Sequence, residues 1–195
     1  MDSIEKVADS QGIIVAIDAD NCILSAAREV LKFKNYDSAL AGFERMFDWM
    51  KGFGNIIRTD VYLSPSRCEN TNLNSLWHNL WAKYRGEFLI KYIYCPNRKT
   101  RQRGQKMDNV DAHLMEHTRE ITRLYAGRFH YLCLASGDGD YYPMLCQLKK
   151  EMDIEIAFAI GGEGSFAKIY RKMEMIGKHP TTGEELVHQF STQHT

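Results

Sequence analysis

Two textures alternate along this chain: short continuous apolar runs, and longer stretches in which apolar residues recur every three or four positions. The runs are "GIIVAID" (12–18), "NIIRTDVYLSP" (55–65), "EFLIKYIYCP" (87–96), "FHYLCLAS" (129–136) and "IEIAFAIGG" (154–162). Brief, β-branched or aromatic and bounded by turn residues, they predict buried strands. The stretches between them predict helices. "SALAGFERMFDWMKGFG" places Leu40, Phe43, Met46, Phe47 and Met50 at helical spacing before Gly52 and Gly54. "NTNLNSLWHNLWAKY" gathers Leu73, Leu76, Trp77, Leu80 and Trp81 on one side. "DNVDAHLMEHTREITRLYAG" starts on an aspartate and ends on Gly127. "YYPMLCQLKKEM" tolerates Pro143 in its first turn, and "GSFAKIYRKMEMIGK" predicts a last helix. The basic segment "NRKTRQRGQKM" carries no apolar pattern and predicts a loop, and "HPTTGEELVHQFSTQHT" predicts a loosely held polar tail.

Strand and helix alternating five times define an α/β fold: a parallel sheet of about five strands with helices on both faces, in three layers, joined by right-handed crossovers. Ligands of such folds bind beyond the carboxyl ends of the strands, where strand order reverses. That rule bears on the polar residues at two strand ends. "IVAIDADN" closes the first strand with Asp18, Asp20 and Asn21, and "ASGDGDYY" closes the fourth with Asp138 and Asp140. Like charges repel, so a cation between the clusters accounts for them better than folding does. The helix from Asp108 adds that residue and Asp111, which flanks the apolar stripe of Val110, Leu114, Ile121 and Tyr125. Oxygen-only ligands suit a hard divalent ion such as Mg²⁺, and such a site serves metal-assisted phosphodiester hydrolysis.

Composition narrows the alternatives. The 195 residues suffice for one domain. Lysine plus arginine equals aspartate plus glutamate at 25 each, so attraction to a polyanion must be local. The basic run supplies it, with Arg98, Lys99, Arg101, Arg103 and Lys106 on the crevice side of the sheet, placed to hold a phosphate backbone. Tyr92, Tyr94, Tyr141 and Tyr142 offer rings for base stacking, against the plainer reading that they pack at the core boundary. Apolar runs fall short of the ~20 residues of a membrane span, and the polar, acidic start is unlike a signal peptide. Five cysteines without a CxxC pair read as reduced thiols, hence a cytoplasmic setting.

"IDADN", "VDAHL" and "SGDGDY" resemble the motifs of the NYN domain, a branch of the PIN-like nuclease superfamily, over residues 12–176, leaving 177–195 as tail. The resemblance implies a PIN-like (Rossmann-like) sandwich with strand order 3-2-1-4-5 and an acidic pocket for Mg²⁺ or Mn²⁺. Asp18, Asp111, Asp138 and Asp140 are then the metal-site acids, and Asn21 and Ser136 orient ligand or water. It further implies an endoribonuclease acting on RNA, which leaves a homodimer or a protein partner open. The pattern departs in two places. Asp108 and Asn109 stand where a lysine-glycine pair is common, and His117 stands where a further acid is often found.

Three rival readings lead elsewhere. A PIN-like module can bind RNA or dock a partner without cutting. "IDADNCIL" also resembles the DxDxT opening of haloacid-dehalogenase-like phosphatases, with Cys22 in the threonine position. "HLMEH" matches the HxxEH zinc pattern, but His113 and His117 share a face on the far shoulder of the apolar stripe from Asp111, away from the other acids.

Overall fold

The computed structural model describes residues 12–22, 36–64, 71–95, 101–102, 105–106, 109–159, 167, 175–178 and 185–188. Strand β1 (Gly12–Asp18) is central, and a helical turn (Ala19–Asn21) follows it directly. Then come α1 (Tyr36–Lys51), β2 (Asn55–Leu63), α2 (Thr71–Tyr84), β3 (Leu89–Tyr94), a two-rung hairpin of β4 (Arg101–Gln102) and β5 (Gln105–Lys106), and α3 (Asn109–Leu124). Next are β6 (Tyr131–Ala135), a 3₁₀ turn (Gly139–Tyr141), α4 (Tyr142–Glu151), β7 (Glu155–Ala159), β8 (Met175–Lys178) and β9 (Glu185–His188).

The main sheet runs β3-β2-β1-β6-β7-β8-β9. Its first five strands are the five anticipated, all parallel and in the order 3-2-1-4-5 when counted along the chain. Side chains alternate between two cores, as strand geometry requires. Ile13, Val15 and Ile17 face α1 and α2, packing with Phe43, Phe47, Leu76 and Leu80. Ile14 and Ala16 face α3 and α4, packing with Val110, Leu114, Met144 and Leu148. Gly12 admits no side chain, because a Cβ there would lie 2.3 Å from the Arg128 carbonyl oxygen. Gly127 ends the turn after α3 with φ +75°, a conformation that favours glycine.

Two readings of the sequence are corrected. The helix over "GSFAKIYRKMEMIGK" fails at Met175–Lys178, which pairs parallel with β7 and antiparallel with β9, while most of the rest of that helix lies outside the described residues. β9 itself falls in the segment read as tail, with Val187 opposite Ile176. Gly177 is a poor helix former, and the pairing partners lie outside any local window. Within the basic run, Arg101 pairs with Lys106 and Gln102 with Gln105 across a hairpin, where the sequence predicts an unstructured loop. Among the described residues, no helix is long and apolar enough to cross a membrane.

Candidate metal centre

β1 ends where it does because Asp18 caps the turn that follows: its Oδ1 accepts the Asn21 backbone N–H at 3.0 Å. The end of β6 repeats the device. Asp138 caps the 3₁₀ turn, its Oδ1 accepting the Asp140 backbone N–H at 3.0 Å. β1 and β6 are parallel neighbours. From β1 the chain proceeds first towards β3 on one side and later towards β9 on the other, so the gap between β1 and β6 is the point of reversal.

The two strand ends are stitched together. Asn21 Oδ1 accepts the Gly137 N–H at 3.2 Å. Ser136 Oγ donates to Asp18 Oδ2 at 3.4 Å and accepts the Asp138 N–H at 3.2 Å. Asn21 and Ser136 thus join the two loops. Asp111 enters from the first turn of α3, beside the buried Val110 and Leu114. Carboxylate oxygens of Asp111, Asp138 and Asp140 all lie within 4.8 Å of one another, the first buried, the second half-buried and the third exposed. Three hard oxygen donors in that span fit a magnesium-like ion.

Asp18 stands deeper. Only 4% exposed, it meets the triad through Tyr141, a residue with no exposed surface. The Tyr141 hydroxyl lies 2.8 Å from Asp18 Oδ2 and 2.7 Å from Asp111 Oδ1. A phenol has one proton. It donates to one carboxylate, and the second contact becomes a hydrogen bond when that carboxyl carries a proton of its own. Burial pushes the Asp18 carboxyl above the usual range, helped by the charges of Asp20 and Asp138 and opposed by the Asn21 N–H and the Tyr141 hydroxyl. Burial, then the two carboxylates, push the Tyr141 phenol far above its ordinary value.

A second polar group lies two residues down the sheet. Arg58, Asp60 and Tyr62 of β2 face α3. Arg58 Nε donates to Asp60 Oδ2 at 2.8 Å, and its guanidinium lies 5.7 Å from the Tyr125 ring centre. Tyr62 Oη lies 2.9 Å from His117 Nδ1 and 3.3 Å from Thr118 Oγ1. Burial first, then the Arg58 and Lys91 charges, lower the His117 pKa against the pull of Asp60 and Glu120. His117 therefore belongs to this network, and the described acids that can share a metal are Asp111, Asp138 and Asp140.

Of the residues marked from sequence, Asp18, Asn21, Asp111, Ser136, Asp138 and Asp140 share one rim. Asp20 stands outside the triad, because the helical turn breaks the strand alternation that would have set it beside Asp18. Asp108, Arg98, Lys99 and Arg103 lie outside the described residues; Arg101 and Lys106 are described only as strand positions. Base stacking by Tyr141 is corrected, since its ring is enclosed in the core. Tyr92 donates to the Trp77 carbonyl at 2.6 Å, and Tyr94 is 55% exposed. The bridging role of Tyr141 was missed. Its only signal is an aromatic directly after "DGD", and the adjacent Tyr142 carries the same signal.

Comparison with known proteins agrees with this geometry. The family model described as NYN domain matches residues 12–174. The crystal structure of a protein of unknown function from Vibrio parahaemolyticus superposes with a TM-score of 0.59 at 15% identity, over 86% of this chain and 89% of that one. At that identity the likeness speaks for the fold alone. No curated protein sequence matches. On the family match over most of its length, the chain belongs to the NYN domain family of the PIN-like nucleases.

Proposed function

We propose that this chain is a metal-dependent endoribonuclease that hydrolyses phosphodiester bonds of single-stranded RNA in a cytoplasmic setting. One observation carries the reading: three carboxylates from two distant elements lie within 4.8 Å of one another at the crevice where strand order reverses. Asp111, Asp138 and Asp140 would hold Mg²⁺ or Mn²⁺, with Asp18 joined to them and Asp108, the residue before α3 in sequence, as a further candidate. When bound, such an ion lowers the pKa of water and stabilises charge on phosphate oxygens. The chain's own residues do the rest. Asn21 and Ser136 lock the two acidic loops together, so the acids need little rearrangement when substrate arrives. Arg98, Lys99, Arg101, Arg103 and Lys106, on the segment between β3 and α3, hold the RNA backbone without reading its bases.

Burial of Asp18, with both oxygens in hydrogen bonds, works against its use as a phosphatase nucleophile. Asp138→Asn tests the nuclease reading on single-stranded RNA with Mn²⁺. Cleavage should fall by about 100-fold or more while RNA binding persists. A parent protein that binds RNA and does not cut it with any divalent metal would instead be a binding module.

A further inference from the structure

We propose that Tyr141 is a positioning residue of the cation site: its hydroxyl joins Asp18 to Asp111 and sets the spacing of the carboxylates on which a divalent ion is held. The proposal rests on the cation site described above and goes beyond its set of acids.

The placement of the phenol is the first argument. Tyr141 has no exposed surface, so its hydroxyl meets neither solvent nor substrate. What it meets is Asp18 from the end of β1 and Asp111 from the start of α3, at 2.8 and 2.7 Å. These acids are 93 positions apart in sequence (111 minus 18) and belong to different layers. The neutral phenol packed between them spaces their oxygens, donating its single proton to one carboxylate and lying in contact with the other. An arginine or lysine in that place would tie up the negative charge that a cation needs.

Connectivity is the second argument. Tyr141 closes the same 3₁₀ turn that carries Asp140 and is capped by Asp138. This turn and its cap therefore supply two acids of the triad and the link from the third to Asp18. A displacement of that turn moves Asp138 and Asp140 and disturbs the Tyr141 contacts to Asp18 and Asp111. Met144, Leu145 and Leu148 are fully buried in the same core cluster as the Tyr141 ring.

The hydroxyl's loss is separable from the ring's. Tyr141→Phe keeps the packed ring and removes one oxygen. Mn²⁺ binding to the full chain, followed by calorimetry, should weaken by about 10- to 100-fold, the range seen when a group that orients a metal ligand is removed. Cleavage of single-stranded RNA should lose kcat by a similar factor. KM should stay within about twofold, since the buried phenol touches no substrate. Tyr92→Phe, which removes a hydroxyl bonded to the Trp77 carbonyl, should leave Mn²⁺ affinity unchanged. Asp18→Asn combined with Tyr141→Phe should bind Mn²⁺ much as the weaker single variant does, because the two act as a unit.

Unchanged Mn²⁺ affinity in a folded Tyr141→Phe protein overturns the proposal, and so does strict additivity in the double variant. If Tyr141→Phe does not fold, ring-carbon NMR of the ¹³C-tyrosine-labelled parent carries the test. The Tyr141 Cζ signal should move on saturation with Mg²⁺, and a stationary signal overturns the proposal. The nuclease reading fails separately. A chain whose Mn²⁺ affinity depends on Tyr141 but that never cuts RNA keeps this role and loses that function. A Tyr141→Phe chain that cuts RNA as well as the parent, at unchanged affinity, does the reverse. A parent that binds no divalent cation removes both.

Discussion

Asp18 and Asp60 are two buried aspartates on adjacent strands, both under α3, and the protein treats them in opposite ways. Asp60 is 2% exposed and takes a guanidinium from its own strand, Arg58, at 2.8 Å. Asp18 is 4% exposed, and its donors among the described residues are neutral: a backbone N–H, a serine hydroxyl and a phenol. Removing a carboxylate from water costs several kcal/mol unless charge or hydrogen bonds compensate. At Asp60 the charge partner is internal, a guanidinium on Oδ2, although Oδ1 takes no hydrogen bond among the described residues. At Asp18 the compensation is partial, and the carboxyl stays easy to protonate. On the proposed function, that condition suits a residue beside three clustered acids, with a bound cation as its charge partner.

The largest expected effect breaks the comparison at Asp60. Arg58→Met leaves that carboxylate buried without its counter-ion and should cost about 3–5 kcal/mol. In a chain of this size the melting temperature falls by roughly 2–4 °C per kcal/mol. Denaturation should show the loss, while Mn²⁺ affinity per folded molecule holds. Replacing the pair together, as Arg58→Met with Asp60→Leu, should recover most of the stability. Equal damage to metal binding and to stability would mean that the two regions are one.

Asp18→Asn sharpens the contrast from the other side. Asparagine keeps the shape and removes a charge that burial disfavours, so the melting temperature at neutral pH should not fall and should rise modestly. Mn²⁺ affinity should drop. A destabilisation as large as that of Arg58→Met would contradict the distinction.

The pH dependence follows with its sign. The folded state holds the Asp18 proton more tightly than the unfolded chain, whose value is 3.8. Stability from this group is therefore complete below 3.8 and declines as pH rises through the folded value. Cation affinity runs the other way, increasing as the proton leaves. Urea titrations across that window should show the decline in the parent and a flatter profile in Asp18→Asn.

The smallest effect concerns the basic segment. Changing Arg98, Lys99 and Arg103 to glutamine should weaken RNA binding alike for all sequences. For every phosphate that is no longer neutralised, the salt-dependence slope should fall by about 0.7. Metal affinity should not move.

Much of this was legible in the chain. Apolar runs alternating with helical stripes give the parallel sheet, and aspartates just past Ile17 and Ser136 mark the crevice, because strand ends and caps are local features. What escaped depends on partners far away in sequence. Nothing local shows that β8 and β9 pair. The face shared by Arg58, Asp60 and Tyr62 is visible as alternate positions in "IRTDVY", yet its burial depends on α3 with His117 and Thr118. The choice between Tyr141 and Tyr142 rests on one residue of register: the 3₁₀ turn directs the first inward and leaves the second half-buried on α4.

The most direct test of the acidic rim is anomalous diffraction from a crystal soaked in Mn²⁺. The predicted result is a peak bounded by the carboxylates of Asp111, Asp138 and Asp140, with Asp18 behind them against the Tyr141 hydroxyl. Mn²⁺ bound elsewhere, with that position empty, would contradict the account.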